Sequence, residues 1–552
     1  MAERAVGGHD LLFGATLRAE WAGLAETERT GASRWRWALG AEQTVRFPGF
    51  SRRIAVYFEI SLPKRTQVVT IYANGRAAAC LRATKDNETA RGFFAFECGA
   101  EAEIRFVSTA YGAAGGDERA LAFLLRELEV ARASAPETRE LPESLCAFPF
   151  AMSFVEHPGR PGPCCWSPVF RDESAGGSDP ASGHWNHPEL RALRTQHLAG
   201  EKPRSCAGCY AKEAAGGRSL RQYFNEEYLA LALARIEATR EDGFTPQAPI
   251  GLDLRMGNTC NLKCRMCFPS RSSLLQKEFE AIYGRSFTAD VEAGRWLREP
   301  GRMEALLQAC AKLEELRIVG GEPFVMPEFA ELLAGLERRN LSSKLRLVLN
   351  TNATVLRDDV LAAFRRFREV VCIVSLEGVG EVNDYIRYPS QFGQIEANLR
   401  RLYDERERLG IIRLEFATTV QIYNVFHLPE LLAYLRKNFP RARWLPLLTI
   451  LFDPPAFSAA VLPSAARAAA VQGLREFLAG EAKAWEDNPG AFGRHSLGQL
   501  REAVGSVIRY LETTDHSAEL PRFRELHEAF DRARGQAGRW RAPYSASIIS
   551  SL

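Results

Sequence analysis

Three cysteines within one short loop constrain this chain more than any other feature. Cys260, Cys264 and Cys267 are spaced Cys-x3-Cys-x2-Cys inside residues 252–270, LDLRMGNTCNLKCRMCFPS. An apolar, strand-like run precedes them and a helical pattern follows. Thiols this close cannot be three disulfide partners. They suit three irons of a [4Fe–4S] cube, because a short loop lets thiolates converge on one small inorganic core. The fourth iron would then lack a protein thiolate, and an open coordination position is where a metal site does chemistry. Zinc is the alternative for a cysteine trio. Against it, no His, Asp or Glu lies between Cys260 and Ser270 to complete a zinc shell.

The 552 residues are enough for about three domains. A formal charge of +3 is small for this length and argues against a dedicated nucleic-acid binder. The opening residues, MAERAVGGHDLLFG, contain no uninterrupted apolar run, so no signal peptide is expected. No stretch approaches the ~20 apolar residues that a membrane span needs. Seven of the twelve cysteines fall in close groups, which favours metal ligation in a reducing cytoplasm over a disulfide framework.

Residues 1–135 read as a β-sandwich module. The runs RIAVYFEISL, QVVTIYANG, GFFAFEC and AEIRFVSTA alternate apolar and polar residues between turn signals. The segment 117–133, DERALAFLLRELEVARA, is expected to close the module as a helix, with Leu121, Leu124, Leu125 and Leu128 as its stripe. Trp35 and Trp37 fall on one face of a strand, where core packing is the ordinary role and stacking on a sugar ring the other. Cys80 and Cys98 lie in strand-like runs without partners and read as core.

Residues 140–230 carry a second cysteine set: Cys146, Cys164 and Cys165, then Cys206 and Cys209 in RSCAGCYAKEAAGGRSLRQ. Four thiolates from two short motifs suit a closed [4Fe–4S] site or a structural zinc site, and spacing does not choose between them. A tandem pair leaves the ligand open between Cys164 and Cys165, since neighbouring strand residues face opposite ways.

In residues 245–455, β-branched runs alternate with amphipathic helical segments, the pattern of βα units and a parallel sheet. The six expected strands are IGLDLRM, LEELRIVGG, KLRLVLNTN, VVCIVSLEG, IRLEFATTVQ and RWLPLLTIL. Right-handed crossovers would curve them into a partial (β/α)6 barrel with functional groups at the strand C-terminal ends. Gly320-Gly321-Glu322-Pro323, Asn350-Thr351-Asn352, and Ser375-Leu376-Glu377-Gly378 fall at such ends. Residues 456–552 read as a C-terminal helical region covering the open edge of the barrel. Cys310 and Cys372 read as core, and His427, His495 and His516 receive no role.

The cysteine trio, the GGEP run and the polar strand ends, in this order, resemble the radical S-adenosylmethionine (radical SAM) superfamily. That resemblance implies a [4Fe–4S] cluster on Cys260, Cys264 and Cys267, with SAM bound through its amine and carboxylate to the open iron. Reductive cleavage of SAM would give a 5′-deoxyadenosyl radical that takes a hydrogen atom from substrate. The resemblance also implies that the Gly320, Gly321 and Pro323 turn holds the methionyl amine, braced by Glu322. Asn350 and Asn352 would line the same mouth. Ser375 and Glu377 would lie near the SAM ribose and carboxylate, Arg387 would pair with that carboxylate, and Met266 would lie near adenine. Cys-x12-Gly-x4-Cys followed by Cys-x2-Cys resembles the twitch domain, a shortened relative of SPASM. That implies an auxiliary [4Fe–4S] cluster on Cys146, Cys164, Cys206 and Cys209, with Gly-x4-Cys spacing favouring Cys164. Here the segment precedes the barrel, whereas in the best-studied members it follows.

The N-terminal module is similar to a β-sandwich appended to some enzymes of surface-glycan assembly. The expectation is therefore an α/β, cytoplasmic radical SAM oxidoreductase or isomerase acting on a small polar substrate: a sugar, cyclitol or sugar-nucleotide. It would be fed by an external donor such as flavodoxin or ferredoxin. The alternatives are modification of a ribosomal peptide and, in another class, a non-catalytic Fe–S redox or scaffold protein.

Overall fold

The computed structural model describes the strands lying between residues 20 and 132, and residues 141–156, 160–170, 180–214, 218–487 and 497–537. Cys98, His495, and the first and last residues of the chain lie outside them. The chain divides into two compact units, Met1–Ala147 with Phe224–Glu237, and Phe148–Tyr223 with Ala238–Leu552.

The first unit holds the strands β1 (Glu20–Ala22), β2 (Glu28–Thr30), β3 (Ser33–Leu39), β4 (Glu42–Pro48), β5 (Arg53–Leu62), β6 (Val68–Ala73), β7 (Arg76–Arg82), β8 (Glu88–Glu97), β9 (Glu101–Ser108), β10 (Gly112–Ala114) and β11 (Asp117–Arg132). They form two antiparallel sheets, ordered β1-β4-β9-β6-β7 and β2-β3-β11-β5-β8, with β10 paired to β11. Strand β11 corrects the helix expected over 117–133. It pairs with β3 on one side and β5 on the other, and its register shifts between Leu121 and Leu124 and again between Leu125 and Glu127. Each irregularity inserts an extra residue and resets the two-residue alternation. The spacing of Leu121, Leu124, Leu125 and Leu128 therefore imitates a helical stripe. The backbone follows the hydrogen-bond demand of two neighbouring strands instead. Trp35 and Trp37 lie on β3, and Cys80 lies on β7 opposite Thr70.

The second unit is built on one sheet of β12 (Met152–Glu156), β13 (Arg160–Gly162), β14 (Gly251–Arg255), β15 (Glu315–Val319), β16 (Arg346–Thr351), β17 (Glu369–Ser375), β18 (Ile411–Val420) and β19 (Arg443–Ile450), ordered β13-β12-β14-β15-β16-β17-β18-β19. The six strands expected from the sequence are β14 to β19, all parallel and in chain order, consistent with a partial barrel. Two further strands extend it. β12 adds parallel to β14, and β13 turns back antiparallel to β12. The segment between Cys146 and Cys164 thus contributes an edge to the barrel's own sheet.

Helices Pro327–Arg338, Asp358–Phe364, Phe392–Asp404 and Leu428–Asn438 connect the strands. Their apolar stripes cover one face of the sheet, where Leu252, Leu316, Ile318, Leu347, Leu349, Val374 and Phe416 join the main core. Cys310 and Cys372 are part of that core. Helix Leu497–Thr513 packs on β19 and covers the sheet's far edge, burying Leu500, Val504 and Val507.

The alternate residues of the strands carry charge. Glu315, Arg346 and Glu369 are register partners across β15, β16 and β17. Arg346 Nη1 lies 3.0 Å from Glu315 Oε2, and its Nε lies 3.6 Å from Glu369 Oε2. Removing the cation from this buried triad leaves two carboxylates facing each other out of water. Arg346→Met should therefore cost about 3–5 kcal/mol. Guanidinium unfolding of the variant checks this. Replacing all three residues with apolar ones should recover most of the loss.

Candidate functional site

Parallel register brings the C-terminal ends of β14 to β18 to one rim. Arg255 stands opposite Val319, Thr351 opposite Val374, and Ser375 opposite Ala417. The cysteine loop, the Gly-Gly-Glu turn, the Asn-Thr-Asn end and the Ser-Leu-Glu end therefore meet there, although up to a hundred residues or so of sequence separate neighbouring pieces.

The cysteine loop is held from several directions. Lys263 N donates to Tyr388 O at 2.6 Å and Arg265 N to Ile386 O at 2.9 Å. Cys267 N donates to Cys264 O at 3.1 Å, closing the loop's last turn. Glu322 N donates to Thr259 O at 2.8 Å, tying the Gly-Gly-Glu turn to the residue before Cys260. Gly320 and Gly321 adopt φ of +89° and +58°, and a Cβ on Gly321 would meet Thr259 O at 2.4 Å. A side chain would have to occupy the space through which the two loops touch.

Glu322 is buried and accepts three hydrogen bonds. Thr351 Oγ1 donates at 2.7 Å, Asn352 N at 2.6 Å and Phe324 N at 3.2 Å. Burial outweighs these donors and pushes its carboxyl up to about 7. Asn352 joins the cysteine loop: its Nδ2 donates to Asn261 Oδ1 at 2.9 Å and lies 4.0 Å from Cys260 Sγ. Its Oδ1 accepts from Thr354 N, and Asn261 Nδ2 donates to Thr354 Oγ1. Asn261 and Thr354 carried no sequence signal beyond their neighbours.

Glu377 and Arg387 face each other. Arg387 Nη1 donates to Glu377 Oε1 at 2.7 Å, and Thr419 N donates to Glu377 Oε2 at 2.7 Å. Burial by itself lowers the Arg387 pKa, but Cys264, Glu377 and Cys260 around it overcome this and the net shift is upward. This guanidinium is thus a positive charge beside the thiols, with Arg534 and Arg271 also within electrostatic reach of them. Ser375 and Asn350 are half-buried at the ends of their strands, and Met266 is half-buried against the core.

The three thiols are close enough to act on one another. Burial raises the pKa of Cys260, and a thiolate at Cys264 or Cys267 would raise it further. Burial pushes Cys267 up to about 12. In the ligand-free chain all three are therefore neutral thiols, and a bound metal would have to supply the charge that deprotonates them. Among the described residues, no three His, Cys, Asp or Glu side chains converge on a single ion position. A cube asks for something different, one thiolate per iron at separate corners. Three clustered thiols, a glycine cradle and a buried cation fit such a group at Cys260, Cys264 and Cys267.

Cys164, Cys206 and Cys209 act on one another electrostatically, and Cys165 is within electrostatic reach of Asp253, Cys164, Arg255 and Arg317. Trp166 N donates to Cys164 Sγ at 3.4 Å, and Ser167 Oγ donates to Ser205 O at 3.0 Å, linking the two motifs. Cys206 Sγ lies 3.8 Å from His197 Nε2. Cys146 is buried in the first unit.

His427 holds the Glu377 loop, a role the sequence did not reveal. Its Nε2 accepts from Val379 N at 3.0 Å while Nδ1 faces Glu430 Oε2 at 3.0 Å.

Residues 254–421 match the family model described as the Radical SAM superfamily, so the chain carries a radical SAM superfamily domain. No curated protein matches the chain. Among solved structures, native anSMEcpe with bound AdoMet and the Cp18Cys peptide is 16% identical, with a TM-score of 0.29, over 41% of this chain and 58% of that one. Streptococcus suis SuiB bound to its precursor peptide SuiA is 15% identical, with a TM-score of 0.24, over 39% and 42%. A family 35 carbohydrate binding module from Clostridium thermocellum is 12% identical, with a TM-score of 0.16, over 21% and 92%. The chain thus spans about half the length of the first two. Among the described residues, no helix is long and apolar enough to cross a membrane.

Two outcomes are expected here. Glu322→Gln places an amide donor where Asn352 N already donates, so one buried N–H loses its acceptor at a cost of about 1–3 kcal/mol. Thermal unfolding should show the loss. For His427, burial lowers the pKa below 6.5, with Glu430 opposing in part. The stability it carries is complete above pH 6.5 and is lost as pH falls through the lowered folded value. Denaturation midpoints should therefore drop between pH 7 and pH 5, and His427→Gln should flatten that drop.

Proposed function

We propose that this chain is a radical SAM enzyme that abstracts a hydrogen atom from a carbon of a polar substrate, as an oxidoreductase or isomerase. The observation that carries the reading is the meeting of Cys260, Cys264 and Cys267 with the Gly320-Gly321-Glu322 turn and the Arg387–Glu377 pair on one barrel rim. A [4Fe–4S] cluster with SAM on its open iron would supply the 5′-deoxyadenosyl radical there. The chain's own residues shape the place where this happens. The left-handed Gly320 and Gly321 backbone offers carbonyls to an ammonium group, and Glu322 fixes that backbone. Arg387 offsets the negative charge of a thiolate cluster while Glu377 orients it. Asn350, Asn352, Ser375 and Met266 stand around the same mouth as the candidate contacts of SAM.

The second cysteine set is proposed as a twitch-like auxiliary [4Fe–4S] site. Mutual electrostatic reach supports Cys164, Cys206 and Cys209 as ligands; Cys146 is supported by its place in the sequence motif. A closed cluster of this kind would exchange an electron with the substrate radical or with an external donor such as flavodoxin or ferredoxin. Cys165, within electrostatic reach of Asp253, is proposed to be a thiol of the barrel interior and not a ligand.

The expectation of a sugar, cyclitol or sugar-nucleotide substrate rests on the N-terminal module, and no described residue of the site selects a sugar. Peptide modification, the class suggested by the peptides bound in the two radical SAM structures above, is therefore tested beside it. Anaerobically reconstituted protein with a reductant should convert SAM to 5′-deoxyadenosine, and the Cys260→Ala, Cys264→Ala, Cys267→Ala variant should not. Faster turnover with a peptide pool than with sugar nucleotides would assign the peptide class. Iron-loaded protein that leaves SAM intact would overturn the enzyme reading in favour of a non-catalytic Fe–S protein.

A further inference from the structure

The cysteine loop is gripped at its middle by a helix more than 250 residues away in sequence. Arg265 sits between Cys264 and Cys267, and its side chain has no exposure to water. Its guanidinium lies 3.8 Å from the centre of the Tyr385 ring and 5.1 Å from that of Tyr423. Nη2 donates to Asp531 Oδ1 and, at 3.0 Å, to Gln536 Oε1; Nε donates to Tyr385 O at 3.2 Å. Tyr385 Oη also donates to Asp531 Oδ1, at 2.7 Å. Asp531 belongs to the last helix, Leu520–Arg534.

The same helix makes a second buried ion pair. Arg534 donates to Glu278 through Nη2 at 2.5 Å and through Nε at 3.1 Å. Glu278 Oε2 in turn lies 3.8 Å from Lys263 Nζ, on the other side of Cys264. The two residues flanking Cys264 are therefore both tied, directly or through one carboxylate, to a single helix. An arginine with no access to water needs its full set of partners, because an unpaired buried charge is far costlier than a paired one. An arginine fork held by a carboxylate, an amide oxygen, a carbonyl and two ring faces has one orientation. It fixes the backbone between two of the three thiols.

We propose that Asp531 and Arg534 are positioning residues that clamp the cysteine loop through Arg265, Glu278 and Lys263, setting the spacing of Cys264 and Cys267 before any cluster binds. The proposal rests on the reading of Cys260, Cys264 and Cys267 as cluster ligands. The clamp adds no chemistry. It removes the entropy that three thiols on a free loop would lose on closing around a cube, so the cluster should be held longer and in one geometry.

Asp531→Asn removes the charge while keeping the side-chain shape. Asp515→Asn, at an exposed ion pair with Arg467, serves as the control. Two measurements are made. The first is the rate at which a ferrous chelator strips the irons that the triple cysteine variant lacks. Asp531→Asn should lose them at least tenfold faster than wild type, with an altered electron paramagnetic resonance signal of the reduced cluster, while Asp515→Asn matches wild type. Stripping within twofold of wild type and an unchanged signal would overturn the proposal. The second is amide hydrogen exchange of Lys263 and Arg265 in cluster-free protein. It should be at least tenfold faster in Asp531→Asn, and equal exchange would overturn the clamp. If the triple cysteine variant holds as much iron as wild type, the cluster reading fails, and this second measurement still decides the clamp. Should Asp531→Asn not fold, Arg265→Lys keeps the charge, loses the fork and carries the same comparisons.

Discussion

A loop that bears three buried thiols is under an electrostatic constraint before it is under a chemical one. Burial keeps Cys260, Cys264 and Cys267 protonated, and taking on a cluster replaces neutral thiols with thiolates in a place that water does not reach. The surroundings are arranged around that change. Arg387 stands beside the thiols as a cation paired with Glu377. Glu322 is kept off the thiols by three donors from its own turn and from the end of β16. The barrel's parallel register is what makes this possible. It delivers loops from widely separated parts of the chain to one rim, where each can fix the next.

The geometry separates two roles that the sequence merges. Residues such as Gly320, Gly321 and Cys264 shape the site directly. Asn261, Thr354, His427, Arg265 and Asp531 hold the loops that carry them. The second group is where stability and function meet, because a loop held in one geometry cannot also relax to bury its polar groups elsewhere.

Much of the second unit was legible in the sequence because its elements obey simple periods. The six strands β14 to β19 and the helices between them are apolar runs and amphipathic stripes of ordinary length. Cysteine spacing pointed to the trio Cys260, Cys264 and Cys267, whose thiols lie within electrostatic reach of one another. Three things were not legible. Strand β11 hid its alternation behind two register irregularities and read as a helix. Strands β12 and β13 are five and three residues long, too short to show a period, so their addition to the barrel's edge could not be seen. Partnerships across the chain left no pattern at all. Arg265 and Asp531 stand 266 residues apart and share no periodic signal. Only the fold shows that they are buried together.

The central claim is that Cys260, Cys264 and Cys267 take a redox cluster that is independent of the second cysteine set. Anaerobic iron, sulfide and zinc content of the wild type and of the Cys260→Ala, Cys264→Ala, Cys267→Ala variant tests it most directly. At four irons per cube, about eight irons per chain falling to about four, with equal sulfide, is the predicted result. Zinc in the wild type that disappears with the three cysteines, or iron that does not change when they are removed, would contradict it.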